Sequence, residues 1–378
     1  MYQIGVLAAL EERMEGASLC ASDVVVGVSA GSWVGSLVAN GVSPAELYGT
    51  VTGPGSAAHD IDDLDLFRLN LGEMAQRLAT APLTLLDALR DFYENRHETT
   101  LTDLVQVLGH LLPSGVFSTD GLGRWVSTFL SEPGRTDDFR KLPRRLLVVA
   151  VELDTGETFT FGAAGTDEVP ISRAVQASCA IPGLYRPVRI GGVDYVDGGV
   201  RKTAHISLAL EERCGLVVCV NPIVPVRYRS PRQLPSLGVR QRGPVAARGL
   251  PAILDQVFRV TLHSRMQYGL ARYRRDCPGC DLVVLEPRAE DLPRFMTRNI
   301  MRTSGRSRIA EFAWRSTMAA VDADFPRLSR VFARHGVALS PPVPRAAASE
   351  APRAARLLVQ ESSPPRAEAR RSVLRLVR

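Results

Sequence analysis

The chain has 378 residues, of which 45% are hydrophobic, so it is long enough for one large domain or two ordinary ones and can bury a sizeable core. Its formal net charge is +6, but eight arginines against three glutamates between Pro341 and Arg378 supply +5 of that charge. No nucleic-acid-binding signature accompanies the charge, so we expect no nucleic acid as a partner. The chain shows neither a secretory signal nor an apolar run long enough to cross a membrane, which predicts a cytoplasmic protein with at most peripheral membrane contact.

Six cysteines in a chain of this length do not form a disulfide framework. Cys277-Pro278-Gly279-Cys280 is a lone CxxC pair, and a zinc ribbon needs a second pair at matching spacing. We therefore predict a turn there, with no metal.

The first predicted elements alternate between helix and strand. Apolar residues recur at helical spacing from Ile4 to Met14, with charged residues facing away, which predicts an amphipathic helix. The segment 23–28 is rich in β-branched residues and predicts a strand buried on both faces. A helix over 32–40 follows, and Ser43 with Pro44 has the composition of the next helix start.

Further along, residues 53–143 are predicted to be mostly helical, and strands return after them. The predicted strands cover 145–153, 157–161, 187–190, 216–220 and 281–286. The predicted helices cover 172–179, 204–214, 253–275, 300–321 and 325–335, with Leu254, Val257, Phe258, Leu262 and Met266 along one face of the third. This alternation favours an α/β fold with a mainly parallel central sheet and helices on both faces.

The domain organisation follows from composition. Residues 1–338 are predicted to form one folded domain, interrupted at 226–249 by a mobile surface insertion rich in Pro, Gly and Arg. Residues 339–378 are rich in Pro, Ala, Ser and Arg and are predicted to be disordered, because they cannot bury enough apolar area to offset the cost of ordering.

A candidate nucleophile lies in the segment Gly27-Val28-Ser29-Ala30-Gly31, a G-x-S-x-G motif directly after a predicted strand and at the start of a helix. The glycines remove side chains that would clash in a tight turn, which leaves the Ser29 hydroxyl exposed. The positive end of the helix, with the Ala30 N–H, favours an alkoxide and the oxyanion that forms on attack. The competing interpretation is an ordinary glycine-rich strand-to-helix turn.

A serine hydroxyl needs a base to remove its proton. None of the six histidines lies in a glycine-rich or acid-rich setting, and His205 is the best placed of them. The six are His59, His97, His110, His205, His263 and His335.

Asp197 is the alternative base. The segment from Gly191 to Gly199 has the pattern of a hairpin turn, a strand, and an acid followed by Gly198 and Gly199 where the chain must bend. An aspartate there can approach a serine hydroxyl directly. On the residues alone, a turn-forming Asp-Gly explains the pattern equally well.

Three motifs in a fixed order resemble those of the patatin-like phospholipases. They are Gly27-Val28-Ser29-Ala30-Gly31, then Ala177-Ser178-Cys179-Ala180-Ile181-Pro182-Gly183-Leu184-Tyr185-Arg186-Pro187-Val188, then Tyr195-Val196-Asp197-Gly198-Gly199. The opening Tyr2-Gln3-Ile4-Gly5-Val6-Leu7 also resembles the first helix of that family, so the resemblance runs to about residue 220.

The resemblance implies a three-layer α/β fold and a Ser29–Asp197 dyad without histidine. It also implies hydrolysis of phospholipids or other fatty acyl esters, with no metal or cofactor. The alanines and prolines from Ala177 to Pro187 would form the floor of the acyl site.

Two departures from the family pattern stand out. The family has a glycine-rich loop ahead of its first helix that forms most of the oxyanion hole, whereas this chain begins at Met1, after that loop and after the first strand. Because Ser29 and Asp197 are both intact, we expect a truncated start rather than a disabled copy, with the strand at 24–28 left unpaired along one edge. The smaller departure is Ala204-His205, where the family usually has Asn-Pro.

Four functional hypotheses follow. The leading one is a lipid acyl-ester hydrolase, and the second is a catalytically weakened relative that binds membranes or acyl chains as a regulator. The third is an esterase of the order serine, acid, histidine that uses His205 or His263. The last is a basic scaffold protein that uses its arginine-rich loop and tail.

Overall fold

The computed structural model describes residues 1–53, 66–94, 109, 111–226, 234–236, 239–241, 244–292, 303–342, 354–362 and 374–377. His59, His97 and His110 lie outside the described residues. Within the predicted insertion, Leu234–Ser236 and Val239–Gln241 form an antiparallel hairpin.

The strands, in chain order, are β1 (Met14–Glu15), β2 (Val24–Val28), β3 (Arg68–Leu69), β4 (Gly115–Ser118), β5 (Arg145–Glu152), β6 (Thr158–Phe161), β7 (Gly183–Tyr185), β8 (Val188–Ile190), β9 (Val193–Asp197), β10 (Leu216–Val220), β11 (Leu234–Ser236), β12 (Val239–Gln241), β13 (Asp281–Glu286), β14 (Ala338–Leu339), β15 (Arg356–Gln360) and β16 (Leu374–Val377).

The α-helices are α1 (Tyr2–Arg13), α2 (Ala30–Ala39), α3 (Pro44–Thr52), α4 (Leu71–Glu94), α5 (Asp120–Leu130), α6 (Ile171–Ser178), α7 (Ile206–Glu211), α8 (Leu250–Asp276), α9 (Thr303–Ala323) and α10 (Phe325–Ala333). Helix α3 begins as predicted, because the Glu46 backbone N–H donates to the Ser43 Oγ at 3.1 Å. Of the helices that the structure describes, none is both long enough and apolar enough to cross a membrane.

The large sheet has the strand order β15-β13-β10-β16-β2-β5-β9-β8, and β6 pairs with β5. The strands from β13 to β5 in this order are parallel, whereas the pairs outside them are antiparallel. The predicted α/β fold with a parallel centre is confirmed.

The side chains of β2 alternate between two cores, one on each face of the sheet, and helices cover both faces. Val25 packs in the core that contains residues of α1, α2 and α6. Val24 and Val26 point the other way and pack with Met266 and Leu270 of α8. The result is the three-layer arrangement that the sequence predicts.

Two helix faces differ from the sequence prediction. Arg13, expected to face solvent from α1, is 3% exposed and pairs with Asp322 of α9, because α9 covers that side of α1. On α8, Leu254 and Val257 are exposed whereas Leu262 and Met266 are buried. Only the later part of this long helix packs against the sheet.

Two segments of the tail 339–378 form strands, where its composition predicts disorder. Strand β15 pairs antiparallel with β13, and β16 lies between β10 and β2, parallel to both. Each segment is a short run rich in Leu and Val inside a polar stretch, and a strand of that kind satisfies the backbone groups of its neighbours. Consequently, the edge of β2 that was expected to be unpaired is paired from Val24 to Val26.

Candidate active site

The G-x-S-x-G motif forms the predicted turn between β2 and α2. Ser29 has φ 53° and ψ −133°, a backbone conformation that costs a non-glycine residue about 1–3 kcal/mol and that concentrates at functional sites. Its side chain is mostly buried, whereas Ala30, the first residue of α2, is exposed. The N–H of a first helical residue has no acceptor within its helix, so the Ala30 N–H is suited to an oxyanion.

Gly27 is required by the close approach of α2 to the end of β2. A Cβ at this position would lie 2.4 Å from the Ser32 Cα and 2.8 Å from the Gly31 carbonyl oxygen. Both are backbone atoms, which cannot swing aside as a flexible side chain would. Gly27 therefore lets the helix begin directly after Ser29.

We expect Gly27→Ala to lower the free energy of unfolding by about 1–3 kcal/mol or more, because the added methyl overpacks the turn. Gly49→Ala in α3 is the matched control, since a Cβ at Gly49 would meet nothing within 4 Å and alanine favours a helix by about 1 kcal/mol. Urea unfolding measures both variants. Equal free energies of unfolding for the two variants would show that α2 does not approach Gly27 as closely as described.

Ser178, at the end of α6, holds the Ser29 turn in place. The Ser29 backbone N–H donates to the Ser178 Oγ at 2.8 Å, and this hydroxyl donates in turn to the Val149 carbonyl of β5 at 2.6 Å. Ser178 is fully buried. The strained turn is thus tied to the neighbouring strand through one hydroxyl group.

Asp197 is the last residue of β9. Its backbone N–H donates to the Ala180 carbonyl at 3.0 Å, and its carboxylate Oδ1 accepts from the Gly199 N–H at 2.7 Å. A Cβ at Gly198 would lie 2.5 Å from the Val149 carbonyl oxygen. The first glycine after the acid is therefore needed for close packing on β5, and the second orients the carboxylate.

The register of the sheet brings Ser29 and Asp197 to neighbouring levels of β5. Val28 is the partner of Val149, the last pair between β2 and β5, and Ser29 is the next residue along the chain. The residue after Val149, Ala150, is the partner of Asp197 in the β5–β9 pair. The two candidate residues thus lie at the ends of β2 and β9, on either side of β5.

The segment from Ser178 to Ala180 contacts both candidate residues. Ser178 binds the backbone N–H of Ser29, and the carbonyl of Ala180 binds the backbone N–H of Asp197. The sequence singles out this stretch only through the family resemblance, as the floor of an acyl site. Its role as a link between the two residues was missed, and a serine at the end of a predicted helix is the one local signal for it.

We expect Ser178→Ala to lower kcat by on the order of 10–100-fold with little change in KM. The change leaves the Ser29 N–H and the Val149 carbonyl without this partner, and small displacements of catalytic groups have effects of this size. Ser36→Ala is the control, because Ser36 is also fully buried and its Oγ donates to a backbone carbonyl in α2. A similar kcat for both variants, measured on a soluble ester, would show that Ser178 has only a structural role.

The histidines within the described residues contact other parts of the fold. The His205 Nε2 lies 3.3 Å from the Gly198 carbonyl oxygen, next to Asp197. Burial lowers the pKa of His263, and the nearby Glu286 partly offsets this effect. The His335 Nε2 lies 2.7 Å from the Asp281 Oδ2. The contact of His205 thus lies in the loop that follows Asp197 and supports that loop.

Cys277 and Cys280 bound the turn between α8 and β13, as predicted, and the Cys280 N–H donates to the Cys277 carbonyl at 3.3 Å. Both are free thiols. Across the described ranges, no group of three or more His, Cys, Asp and Glu side chains is placed to hold a metal ion.

Comparison with known proteins gives a family, one curated protein of similar sequence and one solved structure of low similarity. A sequence model of the family described as patatin-like phospholipase matches residues 1–210 of the 378. The uncharacterized protein YqhO of Bacillus subtilis (strain 168) is 24% identical over 221 residues. That match covers 55% of this chain and 64% of the relative, so the chain spans less than two thirds of the relative's length. The crystal structure of VipD from Legionella pneumophila is 20% identical, covers 52% of this chain and 43% of that chain, and has a TM-score of 0.26.

Proposed function

Because this chain belongs to the patatin-like phospholipase family, we propose that it hydrolyses the acyl esters of lipids through a covalent acyl-enzyme on Ser29, with Asp197 as the base. The observation that supports this most strongly is the register of the sheet, which pairs Val28, the residue before Ser29, with Val149 and pairs Asp197 with the adjacent Ala150. The strained backbone of Ser29 supports it independently.

In the first half of the proposed reaction, the Asp197 carboxylate accepts the hydroxyl proton of Ser29, and the Ser29 oxygen attacks the ester carbonyl carbon. The resulting oxyanion is stabilised by the Ala30 N–H and the positive end of α2. The tetrahedral intermediate then collapses, the bond to the alcohol breaks, and Asp197 returns its proton to the departing alcohol.

In the second half, Asp197 accepts a proton from water, and the water oxygen attacks the acyl-enzyme carbonyl. The bond between the acyl carbon and the Ser29 oxygen breaks, and Asp197 returns the proton to Ser29. The fatty acid leaves, and the enzyme is restored. No imidazole takes part in either half, which agrees with the contact of His205 at the Gly198 carbonyl.

Exposed apolar side chains on β4 and β7 are compatible with an acyl substrate. Strands β4 and β7 pair so that Val116 and Leu184 are neighbours on one face, and these side chains are 42% and 37% exposed. Leu184 follows Ala180, which binds Asp197, by four residues. Neighbouring exposed apolar side chains favour contact with an apolar molecule over a polar one.

The function is tested by hydrolysis of a panel of substrates: p-nitrophenyl esters of increasing acyl length, phospholipids, lysophospholipids and glycerides. We expect release of fatty acid from at least one lipid class, with kcat/KM rising from short to medium acyl chains. Binding of lipid vesicles without any hydrolysis would instead support the regulatory hypothesis. A loss of activity in His205→Gln or His263→Gln as large as that in Asp197→Asn would support a serine, acid, histidine arrangement.

A further inference from the structure

A cavity of about 620 Å³ lies between α7 and α8 and the loop that leads into α7, within the volume range of ligand pockets. Its apolar lining includes Ala204, Leu210, Met266 and Gly269, with Tyr273 beside them. Met266 belongs to the core on the α8 face of the sheet, whereas α2 lies on the opposite face. The cavity is thus a separate site from the one that contains Ser29.

The cavity lies along the second half of α8. Its lining residues on this helix run from Arg265 to Asp276, which corresponds to roughly 16 Å at 1.5 Å per residue. On the other side it is lined by Ser207, Leu210 and Glu211. A groove of these proportions suits a linear alkyl chain better than a compact, polar molecule.

The charges differ between the two ends of this groove. At one end, the Lys202 Nζ lies 3.3 Å from the Ser207 Oγ, and the Arg265 Nη1 donates to the Val200 carbonyl at 2.5 Å. Both partners are neutral oxygens, and no carboxylate among the described residues lies within ion-pair distance of either cation. At the other end, Arg272 and Arg275 are both paired with Asp276 at 3.0 Å, so the charge of each arginine is already met by a carboxylate.

We propose that this cavity binds a long-chain fatty acid, with the carboxylate between Lys202 and Arg265 and the alkyl chain along Ala204, Met266 and Leu210. The cationic end offers charge-assisted hydrogen bonds to a carboxylate, and the apolar floor removes the chain from water. The reverse orientation is disfavoured because the arginines at the far end are already paired with Asp276. The inference stands whether or not Ser29 is a nucleophile, because none of its residues belongs to that site.

Two residues that line the cavity, Arg265 and Thr203, also support the loop that follows Asp197. The Arg265 guanidinium that faces the cavity binds the Val200 carbonyl, and the Thr203 Oγ1 donates to the Leu262 carbonyl of α8 at 2.6 Å. A bound carboxylate competes with Val200 for the same guanidinium. Arg265 therefore contributes both to the cavity and to the support of the Gly198–Val200 turn.

The test uses isothermal titration calorimetry of the full chain with laurate as the probe and dodecanol as its neutral counterpart. Gly269→Leu fills the groove: a Cβ there would lie 3.5 Å from the Tyr273 Cε2, an ordinary contact, so the helix should accept the larger residue. Arg265→Gln removes one of the two cations. We expect laurate to bind the unaltered chain, and each variant to weaken that binding by about tenfold or more.

Two matched variants serve as controls. Arg274→Gln removes an exposed arginine of α8 that does not line the cavity, and Gly49→Leu places the same side chain on an exposed part of α3. We expect both controls to bind laurate as the unaltered chain does, and dodecanol to bind more weakly. The proposal is overturned if laurate does not bind, if the cavity variants match their controls, or if modification of Ser29 by a fluorophosphonate abolishes laurate binding.

Discussion

Replacement of Ser29 by alanine is expected to lower kcat for acyl-ester hydrolysis by on the order of 10⁵-fold or more, as loss of a nucleophile does in other serine hydrolases. Only the hydroxyl oxygen that forms the acyl-enzyme is lost. The hydrogen bond from the residue-29 N–H to Ser178 is a backbone interaction and is retained, so the fold should be unchanged.

Initial rates on a soluble p-nitrophenyl ester, with thermal unfolding alongside, measure this effect. Ser36→Ala, in the helix that begins directly after Ser29, is the control and should keep the full rate. A Ser29→Ala variant that retained even a tenth of the activity would show that the nucleophile lies elsewhere.

Replacement of Asp197 by asparagine is expected to lower kcat by on the order of 10⁴-fold, because the amide cannot accept the Ser29 proton. Asparagine has the same shape, and its side-chain oxygen can still accept the Gly199 N–H that the carboxylate accepts at 2.7 Å. We therefore expect a normal free energy of unfolding together with very low turnover.

Asp194→Asn provides the matched control, since Asp194 lies on the same strand and pairs with Arg189 on the surface at 3.3 Å. It should keep near-normal activity. If Asp197→Asn kept most of its rate while His205→Gln lost it, the base would be the histidine, and the dyad would be wrong.

The sequence predicts the central strands well because they are buried on both faces. Strand β13 matches its predicted bounds, 281–286, and β5 ends one residue before its predicted end at 153. In such strands, runs of Val and Leu are bounded by polar residues, so composition alone marks where each strand begins and ends. The need for Gly27 before Ser29 is equally local, since it arises from backbone contacts with Gly31 and Ser32.

Interactions between distant segments could not be predicted in this way. Arg13 has the sequence context of a solvent-facing residue, and only the packing of α9 on α1 buries it against Asp322. Strands β15 and β16 are short apolar runs in a tail whose average composition predicts disorder, and their pairing depends on the edges of β13 and β2. The contact of Ser178 with Ser29 joins residues 149 positions apart.

The candidate site can be predicted in part from local sequence and in part only from contacts between distant segments. Sequence identifies both candidate residues, but their placement on either side of β5 depends on two strand registers that no local pattern encodes. The resemblance to a known family supplies that missing long-range information. Without it, Asp197 could not be distinguished from a turn-forming Asp-Gly.

The central claim is that Ser29 forms the covalent acyl-enzyme, and the most direct measurement is to map the modified residue. The chain is treated with a fluorophosphonate or trapped with a slowly hydrolysed ester, digested, and analysed by mass spectrometry. We predict one adduct per chain, on the peptide that contains Ser29, and no adduct on that peptide in Ser29→Ala. An adduct on a different residue, or none on an enzyme that hydrolyses esters, would contradict the proposed mechanism.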